Sequence, residues 1–207
     1  MNISRSLLDR IVDLSVSAGE AILTVYQDDA NFNTEIKADN SPVTDADKAA
    51  HDVLHDQLAS IDSDVPVLSE EGSLPDYDTR SSWHRYWIID PLDGTKEFIK
   101  RNGEFTVNVA LIENGVPILG VVHVPVLGVT YAGATGLGAI KIDSGGEQKI
   151  QIQKAPSKNQ GPVRVVASRS HGSEAVEKCV AKLEKYFGSV ERKSMGSSLK
   201  LCLVAEG

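Results

Sequence analysis

The 207-residue chain is poor in cysteine, with only Cys179 and Cys202. Each sits in a helix-like segment, which suits a reducing compartment and buried thiols better than a disulfide framework. No apolar run reaches about 18 residues, so no integral membrane segment is expected. Positive charge is also in deficit: 21 Lys and Arg stand against 29 Asp and Glu, a formal net charge of −8. That argues against a nucleic-acid duplex or an anionic membrane as the main partner. A small anionic substrate stays open, because a bound metal can supply local positive charge. Met1 to Arg5 lead into an amphipathic segment and lack a secretory core. These absences point to a cytoplasmic protein, with peripheral association with the inner membrane left open.

The chain is 41% hydrophobic, enough for one large or two small domains with a real core. Leu7, Leu8, Ile11, Leu14, Ala18, Ile22 and Val25 recur at helical spacing and predict a packing helix over about 4–26. A second helix is expected from Thr44 to about Leu58, opened by a capping-box pair, Thr44 and Asp47. His51 and His55 on it lack the Glu of a zinc motif and read as solvated helix-face residues. Val65 to Leu68 is a short strand ending at Ser69-Glu70-Glu71-Gly72. Alternation along a strand would let one Glu face a site while the other faces solvent. Residues 74–82 read as a polar loop.

The central stretch is Trp87-Ile88-Ile89-Asp90-Pro91-Leu92-Asp93-Gly94-Thr95-Lys96. Pro91 removes a backbone donor, so the strand is expected to stop at Asp90. Thr95 is expected to cap a helix starting at Lys96. The turn then combines two carboxylates, the Leu92 carbonyl, and amides at a helix start. Carboxylates and carbonyls suit a hard cation such as Mg²⁺. Amides at a positive helix end suit phosphate. A calcium loop fails on spacing, because Leu92, Gly94 and Arg101 occupy the positions that need acceptors. The plain alternative is a surface Asp-Pro turn with a capped helix.

Strands follow over 105–112 and 118–124, joined by an Asn114-Gly115 turn, and then shorter ones near 129–132, 139–142 and 149–152. The glycines of 133–138 match neither the phosphate-loop nor the dinucleotide pattern. Ala155 to Pro162 is the one linker-like segment. It separates an N-terminal α+β domain, 1–154, from residues 155–207. The latter part predicts a strand over 163–167, a helix over 173–187 with Val176, Val180 and Leu183 inward, a strand over 190–193 and a last helix over 199–205. No internal repeat is present.

Three separated motifs resemble the inositol monophosphatase-like superfamily, the Mg²⁺-dependent, lithium-sensitive sugar-phosphate and nucleotide phosphatases. They are Lys37-x-Asp39-x-Ser41-Pro42-Val43-Thr44-x-x-Asp47, then Ser69-Glu70-Glu71, then Trp87 to Thr95. Within it, Val166 to His171 and Gly196 to Gly207 look like the 3′(2′),5′-bisphosphate nucleotidase branch. The resemblance implies an α/β fold, a layered α/β/α/β/α sandwich whose second half is incomplete here, with 155–207 as the first part of a substrate domain. The family pattern continues past Gly207 to a further metal-binding Asp, so a truncated piece is expected. The resemblance also implies two or more Mg²⁺ ions held by Glu70, Asp90, Asp93 and the Leu92 carbonyl. Asp47 and Thr95 would activate water. Glu70, Leu92, Asp93, Gly94 and Thr95 would meet the scissile phosphate. Ser197, Lys200 and His171 would meet the nucleotide, against the plain readings of a capping Ser197 and a solvated Lys200. Asp47 itself can be read either as first-turn helix chemistry or as a catalytic base. The expected reaction is hydrolysis of the 3′-phosphate of adenosine 3′,5′-bisphosphate to AMP, with a phosphorylated nucleotide as small-molecule partner and a homodimer as the common family assembly. Inositol monophosphatase activity and a non-catalytic cation- or phosphate-binding fragment are the alternatives.

Overall fold

The computed structural model describes residues 2–28, 34–36, 42–158, 160, 162–168 and 174–207. Lys37, Asp39, Ser41 and His171 lie outside the described residues. The chain divides into two compact units, Met1–Lys149 and Ile150–Gly207.

In the first unit α1 (Arg5–Gln27) starts at Ser4, whose side chain accepts the Leu7 amide, and buries Leu8, Ile11, Ala18 and Ile22 along one stripe. Strands β1 (Thr34–Ile36) and β2 (Pro42–Thr44) pair antiparallel and lead into α2 (Asp45–Ile61), which buries Ala46, Ala50, Leu54 and Leu58 at helical spacing. The unit's main sheet has seven strands among the described residues. These are β3 (Val67–Ser69), β4 (Arg85–Asp93), β5 (Thr106–Glu113), β6 (Val116–Val124), β7 (Val129–Ala134), β8 (Gly138–Asp143) and β9 (Gly146–Ile150), paired in chain order. From β4 to β8 the pairing is antiparallel, while β3 joins β4 in parallel. Tight turns permit this meander. Asn114 (φ 50°) and Gly115 (φ 78°) give the β5–β6 hairpin the left-handed pair that matches strand twist. Helices α1 and α2 pack on each other and on the sheet, closing a core around Trp87, Val107, Leu111 and Val121.

Several sequence expectations shift. The strand at Asp90 does not stop: β4 continues through Pro91 to Asp93. Its register with β5 changes between the pairs Asp90–Asn108 and Asp93–Thr106. Two residues, Pro91 and Leu92, face the single Val107 there, which makes a β-bulge. Proline is tolerated at a bulge because no ladder donor is needed. Within the expected polar loop lies a short helix, α3 (Tyr77–Ser81), whose cap Asp76 accepts the Thr79 amide at 2.8 Å. The last strand of the sheet ends at Ile150, earlier than its apolar pattern suggested.

The second unit is built on a β–α–β turn of chain. Strands β10 (Val163–Ala167) and β11 (Val190–Ser194) pair in parallel and are connected by α5 (Glu174–Phe187). Val180 is buried on α5, flanked by half-buried Val176 and Leu183. Helix α6 (Leu199–Glu206) follows, burying Leu199 and Cys202. Both cysteines are free, but Cys179 is exposed, contrary to the expectation of two buried thiols. It falls on the solvent side of α5, whose buried stripe passes through Val180. The fold class is a mixed α/β one, with a central sheet and flanking helices in the larger unit.

Candidate active site at the end of β4

The bulge places Asp90 and Asp93 around a buried Leu92. Ordinary alternation would send residues 90 and 92 to one face; the extra residue re-aims the strand end. Gly94 follows with φ 101°, and a Cβ there would lie 3.3 Å from the Glu104 carbonyl oxygen and from Phe105 Cα and Cβ. Both conformation and space therefore require glycine. Beneath this turn Tyr26, Phe98 and Phe105 form an aromatic cluster with ring centroids 5.1–5.4 Å apart.

Gly94, not Thr95, is the cap of the short helix α4 (Thr95–Ile99), and no side chain caps it. Thr95 is already inside the helix. Its hydroxyl is thereby released from capping and donates instead to Asp47 Oδ1 at 3.4 Å. The carboxylate of Asp47 is almost fully buried. Its Oδ2 accepts the Thr44 amide at 2.7 Å and the Thr44 hydroxyl at 2.6 Å, while the Thr44 hydroxyl accepts the Ala46 amide at 3.2 Å. The helix-capping and site-facing readings of Asp47 thus coexist, one on each oxygen. Burial raises the Asp47 pKa, the Thr44 bonds oppose that, and Glu71 adds to the rise.

Asp90 Oδ1 is buried without a hydrogen-bond partner. Burial, followed by Glu70 and Asp93, pushes the Asp90 carboxyl up to about 8. An unanswered buried carboxylate oxygen among other acids is costly unless a cation completes it. An all-oxygen donor set of this kind fits a hard divalent ion. Among the described residues no three His, Cys or acidic side chains converge tightly enough to enclose an ion by themselves. Mg²⁺ has the matching habit: it keeps several waters and takes one or two protein carboxylates plus substrate oxygens.

Glu70 and Glu71 both act on the site, which strand alternation did not anticipate. Glu70 raises Asp90 and Glu71 raises Asp47. They belong to a turn after β3, not to the strand itself, so alternation does not apply. His51, expected on a solvated face, is half-buried, with Nδ1 2.8 Å from the Ser69 hydroxyl. No local sequence signal marks that contact. His55 is exposed beside Asp56.

In the second unit Ser197 is buried at φ 52°, one residue before the α6 cap Ser198. It does not cap the helix. Such a left-handed serine is a strained position. Lys200 is half-buried, and its ammonium donates to the Ser197 carbonyl, so it is no simple solvated side chain.

A bulge near the end of β4 that brings acids beside a glycine turn marks the candidate site of this mixed α/β protein. The chain belongs to the Inositol monophosphatase family, whose profile matches residues 5–207. It is 50% identical over 201 residues to the Escherichia coli K12 protein named 3′(2′),5′-bisphosphate nucleotidase CysQ, covering 97% of this chain and 77% of that one. Among solved structures it is similar to CysQ from Bacteroides thetaiotaomicron, a bacterial member of the inositol monophosphatase family (TM-score 0.82, 42% identity, 98% of this chain and 77% of that one). A Thermotoga maritima IMPase is similar at TM-score 0.76 and 26% identity, over 96% of this chain and 72% of that one.

Proposed function

We propose that the protein is a Mg²⁺-dependent phosphatase that hydrolyses the 3′-phosphate of adenosine 3′,5′-bisphosphate to AMP and phosphate. One observation carries the chemistry: the partnerless Asp90 oxygen, buried at a strand end beside Glu70 and Asp93. The nucleotide assignment rests on the 50% identity to a relative named for that activity.

In this reading Glu70, Asp90, Asp93 and the Leu92 carbonyl hold the cation. When bound, Mg²⁺ supplies positive charge to the phosphate oxygens, lowers the pKa of a water and stabilises the leaving oxygen. Two or more ions are expected. Asp47 is the base. Its Oδ2 is anchored to Thr44, so Oδ1 keeps one direction. Thr95 donates to that oxygen, which leaves the hydroxyl's lone pairs free to accept from the attacking water. The water's proton passes to Thr95 Oγ1 as the Thr95 proton moves to Asp47 Oδ1. Burial makes Asp47 a better base than an exposed carboxylate. The amides of Gly94 and Thr95 orient the scissile phosphate. On the second unit, Ser197 and Lys200 are assigned to the 5′-phosphate and His171 to the base or sugar. A cytoplasmic homodimer inhibited by Li⁺ is the state we expect for the enzyme.

A phosphate-release panel with Mg²⁺ tests this. Adenosine 3′,5′-bisphosphate should run well ahead of inositol phosphates, and chelation should abolish release. Preference for inositol phosphates would overturn the nucleotide assignment and leave the family standing. Mg²⁺ binding with no release from any substrate would favour a binding-only protein.

A further inference from the structure

The turn that bears Glu70 and Glu71 is tied down by a residue from a different element. Ser69, the last residue of β3, is buried. Its Oγ lies 2.8 Å from His51 Nδ1 and accepts the Glu71 amide at 3.3 Å. Its carbonyl accepts the Gly72 amide at 3.2 Å, and the Glu70 amide donates to the Ile89 carbonyl at 3.2 Å. Gly72 packs on the same knot: a Cβ there would meet Ser69 Cβ at 3.4 Å and His51 Cε1 at 3.6 Å. His51 stands one helical turn after Asp47 on α2, so one helix face carries both residues toward the acids.

The acids around this turn repel one another. Glu70 and Asp93 both act on Asp90, and Glu71 acts on Asp47, each disfavouring the charged form of its neighbour. Left to itself, a short turn with two Glu side chains relieves that repulsion by swinging toward solvent. A short, half-buried hydrogen bond from a rigid helix opposes the swing. We propose that His51 is a positioning residue that, through Ser69 Oγ, holds the Glu70–Glu71 turn in the orientation that binds a divalent cation. This rests on the metal-dependent reading above.

The test is calorimetric titration with Mg²⁺ of the wild type, His51→Ala, Ser69→Ala, the double variant and His51→Asn. Melting without Mg²⁺ is recorded for each. Ser69→Ala removes the same bond from the other side should His51→Ala not fold. Each single Ala change should weaken Mg²⁺ binding about tenfold, the usual size for a group that orients a metal ligand. The double variant should be no weaker than the singles, since both remove one bond. Asn, whose amide sits near the Nδ1 position, should restore most of the affinity. Wild-type affinity in His51→Ala would overturn the inference, as would losses that multiply in the double variant or no Mg²⁺ binding by the wild type. A lowered metal-free melting point with an unchanged isotherm would assign His51 a structural role only and also overturn it. Hydrolysis of adenosine 3′,5′-bisphosphate is assayed alongside. His51-dependent Mg²⁺ binding without any hydrolysis would sink the proposed function and leave this inference intact.

Discussion

Two polar groups on the same seven-stranded sheet meet burial in opposite ways. His123, on β6, is buried with Nδ1 2.9 Å from the Thr130 hydroxyl of β7. Gly19 of α1 lies so close that a Cβ there would be 2.6 Å from His123 Cδ2. Burial lowers the His123 pKa to about 4, so the ring stays neutral at physiological pH. Asp90, on β4, has an oxygen with no partner and acids for neighbours, and its pKa moves up. Where a buried polar group is answered, the protein is building structure. The indole nitrogen of Trp87, in the core, also lacks a partner, so what sets Asp90 apart is an unanswered oxygen together with acidic neighbours, which a cation can complete.

The largest expected effect breaks the Asp90 side. Asp90→Asn should lower kcat by about a thousandfold, the equivalent of several kcal/mol of lost metal stabilisation of the transition state. The same change should raise the metal-free melting temperature at neutral pH by roughly a few degrees, because a neutral Asn is buried there without having to hold the proton that Asp90 keeps. Activity lost without any gain in metal-free stability would end the contrast with His123. Next, Asp47→Ala should cost about 10²–10⁴ in kcat, with about 1 kcal/mol of stability from the broken capping box. Thr95→Ala should also slow turnover, but it should cost less stability than Asp47→Ala, because Thr95 caps nothing and gives up only one long bond to Asp47. Kinetics paired with denaturant melts separates the two. Gly94→Ala should cost about 1–2 kcal/mol in the same melts, from a non-glycine residue at φ 101°.

Per pH unit, the titrations of Asp90 and His123 are of opposite sign. Without metal, the folded protein keeps a proton on Asp90 up to about 8, where an unfolded Asp loses it near 4. Stability should therefore fall as pH rises from about 4 to 8, and Mg²⁺ should flatten that slope. His123 does the reverse. The unfolded ring takes a proton near 6.5 and the folded one only near 4. Its stability contribution is intact above 6.5 and is lost as pH falls toward 4, by at most about 1.4 kcal/mol per pH unit. His123→Asn should remove the acid-side slope and leave the metal-linked one. Melting across pH, with and without Mg²⁺, checks both.

Local chemistry was readable where neighbours in sequence are neighbours in space. The stripes of α1 and α2, the Thr44–Asp47 box and the Asn114–Gly115 hairpin all lie within a few residues of chain. Reading failed where a distant strand decides. Pro91 looked like a stop, because the partner residue Val107, which makes it a bulge, lies 16 positions away on β5. Thr95 looked like a cap, because the Gly94 conformation depends on Phe105 beneath it. His51 looked like a surface residue, because Ser69 arrives from another element.

The sequence by itself therefore determined which acids exist, their order along the chain, and the family to which their spacing belongs. Helix periods, turn residues and motif spacing are local properties that survive without a fold. Only the tertiary structure decided that Asp90 keeps an oxygen without a partner, that Thr95 turns to Asp47, and that both Glu70 and Glu71 bear on the site. Those facts arise from sheet register and helix packing. Both are set by burial summed over residues far apart in the chain, and no short stretch contains that sum.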